Sequence, residues 1–207
     1  MSKPLESHWI AAKCVLRYLS GTCNYGILYT NIFDVILAGY LDSDWVGNLD
    51  DRRSIIGYAF NIGSGVIAWS SKRQSIVALS SYEAEYQALC AATCEAIWLR
   101  RLLNDAGEGQ KESTSIKSDN QSAIKLAYNP VFHKNTNNID TQFHFVREKI
   151  QPKEICVEYC KTCDNLADIF IKPLGHVNFE LFRWMLGVQD NPFSIGGELK
   201  IINIILY

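Results

Sequence analysis

The sequence lacks a long hydrophobic run, and neither sign of charge predominates. No apolar stretch approaches the ~18–20 residues of a transmembrane helix, and the first residues lack the apolar core of a signal peptide. We therefore expect no membrane association. Lysine and arginine number 20 against 22 aspartates and glutamates, for a net charge of -2. This balance excludes a generally basic nucleic-acid-binding surface, so any basic surface must be local.

The cysteines do not form a pattern typical of a metal site. There are seven of them and no secretory signal, so we expect reduced thiols and a cytoplasmic location. Cys156, Cys160 and Cys163 lie close together in sequence, but a second CxxC pair or a nearby histidine pair is missing. We interpret these three residues as a chance cluster rather than a zinc site.

What is present is typical of a folded chain with one main domain. Hydrophobic residues make up 48% of the 207 residues and charged residues 20%, which excludes a disordered or collagen-like chain. Apolar periodicity and turn residues indicate an α/β fold, in which three meandering strands and a helix precede two strand–helix units. Such an order predicts a mixed five-stranded sheet with helices on both faces. The expected strands are 36–42, 55–62, 66–70, 114–118 and 154–159, and the expected helices are 7–20, 81–106, 121–128, 139–150, 164–171 and 178–186.

Four acidic residues occupy positions that could form one site. Asp42 and Asp119 each end a predicted strand, and they lie side by side if those two strands are neighbours. Glu85 in the long helix and Asp168 in a late helix could approach the same edge. Each acid also has an ordinary structural interpretation, such as an Asx turn for Asp42 or a helix N-cap for Asp119. Clustered carboxylates stay ionised only with cations between them, and hard oxygen ligands suit Mg²⁺ or Mn²⁺.

Longer motifs carry a resemblance that covers about residues 7–188. The chain resembles the ribonuclease H domain of copia-type retrotransposon Pol polyproteins, and its opening stretch HWIAAKCVLRYLSGTCNYGILY is similar to the connection that follows the reverse transcriptase module. The motifs, in chain order, are GYLDSDWVGNLDDRRSIIGYAF, GVIAWSSKRQSIVALSSYEAEYQAL, EAIWLRRLL, IKSDNQSAIKLAYNPVFHKNT, IDTQFHFVREKI and NLADIFIKPL.

The resemblance implies a domain organisation and an activity. Residues 1–34 would be the tail of the reverse transcriptase connection, residues 35–188 a ribonuclease H-like domain, and residues 189–207 an unassigned tail. The implied activity is two-metal, endonucleolytic hydrolysis of the RNA strand of RNA–DNA hybrids during reverse transcription, with two Mg²⁺ ions or Mn²⁺. The alternative is a catalytically inactive relic that acts as a nucleic-acid-binding or interaction domain.

The resemblance also assigns the four acids. Asp42 matches the first-strand ligand, with Asp44 as an alternative, and Asp119 and Asp168 match two further ligands. Glu85 matches the helix ligand, with Glu83 as its rival. Positions two apart on a helix differ by about 200°, so both glutamates cannot point into one site.

The implied partners are the hybrid itself and the reverse transcriptase module of the same polyprotein, in a virus-like particle if the element is active. A hybrid is read through phosphates and 2′-hydroxyls, so polar and basic side chains suffice to bind it. The candidates for these contacts are Arg52, Arg53, Lys72, Arg73, Gln74, Asn120 and Gln121.

Overall fold

The structure is a computed structural model that describes residues 4–30, 35–45, 53–75, 77–78, 80–129 and 137–191, without the side chains of 137–141 and 143. Arg52 and residues 192–207 of the predicted tail lie outside this part of the chain. The described helices and strands, in chain order, are α1 (Glu6–Gly21), β1 (Tyr25–Ile27), β2 (Leu37–Asp44), β3 (Ile55–Ile62), β4 (Gly65–Arg73), α2 (Ser81–Asp105), β5 (Thr114–Ser118), α3 (Gln121–Tyr128), α4 (Asn137–Ile150), β6 (Ile155–Tyr159), the 3₁₀ helices η1 (Thr162–Asp164) and η2 (Leu166–Phe170), α5 (His176–Met185) and β7 (Val188–Asp190).

The main sheet has five strands in the order β4-β3-β2-β5-β6. Strands β2, β3 and β4 form an antiparallel meander, whereas β2, β5 and β6 run parallel. The predicted mixed sheet is therefore confirmed, including the adjacency of the strands that end near Asp42 and Asp119. The β2–β5 register pairs Tyr40 with Lys117, and these residues precede Asp42 and Asp119 by two positions each. Both acids consequently lie at one edge of the sheet.

Helices cover both faces of the sheet, as predicted. On one face α2, α3 and α4 build the larger core, in which Leu41, Tyr86 and Ile116 are fully buried. On the other face η2 and α5 pack around Leu166 and Phe182. Asp168, on η2, therefore reaches the sheet from the face opposite the long helix α2.

The helix boundaries show which polar side chains act as caps. Ser80 caps α2 by accepting a hydrogen bond from the Glu83 amide, as its position predicts. Asn120, rather than Asp119, caps α3 by accepting hydrogen bonds from the amides of Ser122 and Ala123. This cap leaves the Asp119 carboxylate available for other contacts.

The segment 164–171, predicted to be one helix, forms parts of two short 3₁₀ helices instead. Asn165 lies between them in an extended conformation, and its side chain accepts a hydrogen bond from the Ala167 amide. Asparagine competes for backbone hydrogen bonds in this way, which explains why an α-helix does not continue through it.

The N-terminal segment contacts the end of the described chain. Strand β1 pairs with β7 in antiparallel register, Tyr25 opposite Asp190, which joins segments on either side of the predicted domain. The three-residue strand β7 was not predicted from the sequence. Helix α1 has no buried residue. None of the helices in the described ranges has the length and apolar character needed to cross a bilayer.

Candidate metal centre

Three carboxylates from distant parts of the chain meet at the edge of the sheet. Asp42 comes from β2, Glu85 from the second turn of α2, and Asp119 from the residue after β5. One oxygen from each of them lies within 4.8 Å of the others. Asp42 and Glu85 are buried, at 2% and 6% exposure, whereas Asp119 is half-buried. Because water is largely excluded from two of the three, their negative charges are poorly screened.

The structure brings Glu85 and Asp42, rather than their rivals, into this cluster. Glu83 is also buried, at 7% exposure, but it does not belong to the cluster. Asp44 ends β2 two residues after Asp42 and lies outside the cluster as well. Helix geometry separates the two glutamates, since positions two apart on α2 point in different directions.

Asp168 approaches Asp42 from the face of the sheet opposite α2, and Lys172 joins the two carboxylates. The Lys172 ammonium donates to Asp42 Oδ2 at 2.5 Å and to Asp168 Oδ1 at 3.0 Å. Asp168 does not belong to the three-carboxylate cluster within 4.8 Å, so among the described residues its link to the site runs through Asp42 and Lys172.

Sequence reasoning missed the side chains that hold these acids in place. The Thr162 hydroxyl donates to Asp119 Oδ2 at 2.7 Å, and the Ser43 amide donates to Asp42 Oδ1 at 2.8 Å. Asn165, with 0% exposure, donates from Nδ2 to the Leu41 carbonyl and thereby ties η2 to β2. For Lys172 a signal existed, because its i, i+4 spacing from Asp168 typically forms an ion pair. No local pattern indicated Thr162.

Burial and mutual repulsion change the protonation of the cluster. Burial, followed by the charge of Asp119, raises the pKa of Glu85 to about 7, although contacts with Asp42 and Ser43 oppose this rise. Burial, followed by the hydrogen bond shared with Asp168 and the charge of Glu85, raises the pKa of Asp42 above its usual range, against the effect of Lys172. Burial lowers the pKa of Lys172, but its contacts with Asp42 and Asp168 outweigh that effect and raise it overall.

The donor set fits a hard divalent cation. Glu85 Oε2 is buried without a hydrogen-bond partner among the described residues, and it belongs to a cluster made of carboxylates alone. Mg²⁺ and Mn²⁺ prefer such oxygen ligands, and a cation would relieve the repulsion among the three acids.

The basic candidates for substrate contact line the same edge of the sheet. The register places Arg73 opposite Ile55, which in turn lies opposite Asp44 at the end of β2. Lys72 and Arg73 are exposed, and Arg53, just before β3, is half-buried. Lys72 and Arg73 therefore lie two strands away from Asp42, and Arg53 lies next to the neighbouring strand β3.

The polar candidates differ among themselves. Gln121 is exposed at the start of α3, next to the cap residue Asn120. Gln74 is only 4% exposed, and its Nε2 donates to the Ala84 carbonyl at 3.0 Å. This arrangement favours a role in holding the first turn of α2 over contact with nucleic acid.

Comparison with known proteins places the chain in a family. It is 40% identical over 201 residues to the retrovirus-related Pol polyprotein from transposon RE2 of Arabidopsis thaliana, covering 97% of this chain and 14% of that protein. It is 39% identical over 191 residues to the corresponding protein of transposon TNT 1-94 of Nicotiana tabacum, covering 92% of this chain and again 14% of the relative. The chain thus corresponds to a segment of the retrovirus-related Pol polyproteins of transposons, of which it spans about 14%. No family model matches the chain.

A solved structure identifies the fold of this Pol segment. The N-terminal RNase H domain of a Mycobacterium tuberculosis protein, solved as a fusion with maltose-binding protein, matches 72% of the chain with a TM-score of 0.50 and 13% identity. That match covers 96% of the solved chain. The Pol segment therefore has the ribonuclease H fold and forms a ribonuclease H-type domain.

Proposed function

We propose that this Pol segment is a ribonuclease H that cuts the RNA strand of RNA–DNA hybrids endonucleolytically during reverse transcription of the transposon. The observation that carries the proposal is the cluster of Asp42, Glu85 and Asp119, with oxygens within 4.8 Å of one another at the edge of the sheet. A buried group of this kind is costly to keep without a cation, and it offers oxygens alone as ligands.

The acids of the chain would hold two Mg²⁺ ions, or Mn²⁺, in this proposal. Asp42, Glu85 and Asp119 are the central ligands, and Asp168 is a fourth ligand on the side of Asp42. When bound, a pair of divalent ions supplies activation of a water and stabilisation of the leaving 3′ oxygen. Thr162 and Ser43 orient Asp119 and Asp42 for this task through their hydrogen bonds.

The substrate would be held by its backbone rather than by its base sequence. Arg53, Lys72 and Arg73 lie along the edge that carries the acids, where they can meet phosphates of the hybrid. Gln121 and Asn120 flank Asp119 from the other side and can reach 2′-hydroxyls or phosphates. Arg52 belongs to the same proposed basic group by its sequence position.

We also propose that α1 packs against the reverse transcriptase module of the same polyprotein. Trp9 and Leu16 are 59% and 61% exposed on this helix, which has no buried residue. A chain with Trp9→Glu and Leu16→Glu should then bind the separately expressed module more weakly than the unchanged chain does. Equal binding of the two chains would contradict the proposed contact.

The test of the function is a cleavage assay on a labelled RNA–DNA hybrid with Mg²⁺, with Mn²⁺ or with EDTA. We expect RNA-strand cutting with either metal and none with EDTA. Metal stabilisation is worth several kcal/mol, so Asp119→Asn and Glu85→Gln should each lower the rate by about a hundredfold or more while hybrid binding persists. Glu83→Gln is the matched control, because Glu83 is equally buried on the same helix but outside the cluster, and it should retain most of the activity.

The alternative function gives a different outcome in the same assay. A catalytically inactive relic would bind the hybrid without cutting it in Mg²⁺ or Mn²⁺. That result, obtained with folded wild-type protein, would refute the proposed nuclease activity and support a binding or interaction domain.

A further inference from the structure

The ammonium group of Lys172 occupies the gap between two acids that the proposed metal site needs. It lies 2.5 Å from Asp42 Oδ2 and 3.0 Å from Asp168 Oδ1. The two carboxylate side chains are 3% and 6% exposed, whereas the lysine side chain is 35% exposed. One accessible cation thus bridges two buried anions, one on strand β2 and the other on η2.

The fold holds Lys172 in this position from several directions. Its amide donates to the Asp168 carbonyl at 2.9 Å, which sets its side chain on the same side as the Asp168 carboxylate. Its neighbour Ile171 packs directly over Gly57, the residue opposite Asp42 in the β2–β3 register. The contact therefore follows from backbone placement rather than from the side-chain conformation of a freely exposed lysine.

An ammonium group and a metal ion would compete for Asp42 Oδ2. The ammonium already lies at hydrogen-bond distance from this oxygen. A divalent ion bound to the same carboxylate would also face the positive charge of the ammonium across a poorly screened gap, where repulsion is strong. The lysine in this position therefore opposes metal binding to the Asp42–Asp168 side of the cluster.

We propose that Lys172 is a built-in counter-ion of the acid cluster, which neutralises Asp42 and Asp168 in the metal-free protein and competes with divalent metal for them. This proposal rests on the proposed metal site. Lys172 stabilises the fold before metal arrives, and it raises the metal concentration at which the Asp42–Asp168 side fills. Its exposed stem gives the ammonium a route into solvent when it is displaced.

The experiment compares full-length wild type with Lys172→Met, which keeps much of the apolar stem without the charge. Lys149→Met is the matched control, because Lys149 is also partly exposed. It pairs with Glu154, with 3.2 Å between Nζ and Oε1, and this pair lies outside the acid cluster. Mn²⁺ alone is the probe: free Mn²⁺ is followed by electron paramagnetic resonance during titration, and the unfolding temperature is measured in EDTA and in Mn²⁺.

We expect two opposite effects of Lys172→Met. In EDTA its unfolding temperature should fall several degrees below those of wild type and Lys149→Met, because buried carboxylates lose their cation. Its Mn²⁺ affinity should rise about tenfold or more, since the competing charge is gone. Mn²⁺ should consequently raise its unfolding temperature more than that of wild type. If Lys172→Met does not fold, Lys172→Gln retains a donor for both carboxylates without the charge and should show the same increase in affinity.

Other results would overturn the proposal in distinguishable ways. If wild type and Lys149→Met bind Mn²⁺ and the Lys172 variants bind it no more tightly, the competition is refuted while the metal site stands. An unchanged unfolding temperature of the Lys172 variants in EDTA refutes the counter-ion role. If none of the folded proteins binds Mn²⁺, the proposed metal site fails, and the competition fails with it.

Discussion

Thr162 illustrates how, at the scale of single residues, a side chain outside the acid cluster controls one inside it. Its hydroxyl donates to Asp119 Oδ2 at 2.7 Å. Asp119 is the least buried of the three central acids, so packing alone does not hold its carboxylate. Hydrogen bonds to metal-binding carboxylates orient them and maintain metal affinity.

Replacing this hydroxyl should weaken metal binding without unfolding the protein. We expect Thr162→Val to lower the Mg²⁺ affinity by roughly 10- to 100-fold, the typical cost of losing an outer partner of a ligand. Thr162→Ser keeps the hydroxyl and serves as the control. Isothermal titration with Mg²⁺, alongside the Mg²⁺ dependence of hybrid cleavage, measures the change. Equal affinities for the valine and serine variants would show that the hydrogen bond does not support the site.

Single residues also show how much of the site a local sequence pattern can predict. The four acids were identified because they occur in long motifs whose order matches a known family. Lys172 lies in one of these motifs, NLADIFIKPL, where its spacing points to Asp168 but nothing indicates Asp42 as a second partner. Its contact with Asp42 spans 130 positions of the chain, a separation for which local spacing carries no information.

At the scale of secondary-structure elements, Gly57 permits the close packing of η2 on the sheet. A Cβ atom at this position would lie 2.6 Å from Ile171 Cγ2 and 3.1 Å from the Ala167 carbonyl oxygen. Both atoms belong to the segment that carries Asp168 and Lys172. The lack of a side chain at Gly57 therefore determines how near this segment comes to Asp42, its neighbour on β2.

A methyl group at this position should displace η2. We expect Gly57→Ala to destabilise the protein by about 1–3 kcal/mol, the usual cost of overpacking, and to weaken metal binding because Asp168 moves away from Asp42. Gly26→Ala is a matched control, since Gly26 also lies in a strand and a Cβ there meets nothing within 4 Å. Urea unfolding and Mn²⁺ titration measure both effects. Equal stability of the two variants would contradict the tight packing of Ile171 and Ala167 against Gly57.

Predictions of individual elements succeeded where periodicity was strong. The long helix α2 and the meander β2–β4 were predicted closely, because capping, alternation and turn residues all agree there. The segment 164–171 was predicted as one helix, whereas Asn165 divides it into 3₁₀ turns by binding the Leu41 carbonyl. This hydrogen bond to a distant carbonyl outweighs the local apolar pattern. The carbonyl belongs to β2, so the sequence around Asn165 does not indicate it.

At the scale of the whole molecule, folding brings like charges together against their own repulsion. The meander, the long helix and the parallel strand β5 each contribute one acid to a buried edge. Burial, with the charge of Asp119, raises the pKa of Glu85 from 4.5 to about 7. The folded metal-free protein therefore binds more protons than the unfolded chain between these values.

The sign of the resulting pH dependence is fixed by this shift. The contribution of Glu85 to stability is fully present below its unfolded pKa and is lost as pH rises through about 7. In EDTA, wild type should thus lose stability from pH 5 to pH 8 relative to Glu85→Gln, which cannot ionise there. Mg²⁺ in the proposed site would bind the deprotonated acids, so its stabilising effect on wild type should grow over the same range.

Urea midpoints at several pH values, in EDTA and in Mg²⁺, measure this behaviour. The comparison with Glu85→Gln removes the contributions of the titrating groups that do not interact with Glu85, which both proteins share. A wild-type protein that gains stability over Glu85→Gln as the pH rises in EDTA would contradict the assigned burial of the Glu85 carboxyl.

By itself, the sequence determined the order and type of most elements and the mixed sheet, because these follow from apolar periodicity and capping residues, and motif order proposed the four acids. Only the tertiary structure decided that Glu85 and Asp42 rather than Glu83 and Asp44 enter the cluster, that Lys172 bridges Asp42 and Asp168, and that Gln74 is buried. Those outcomes depend on the approach of segments far apart in the chain, where strand register, η2 packing and charge balance act together.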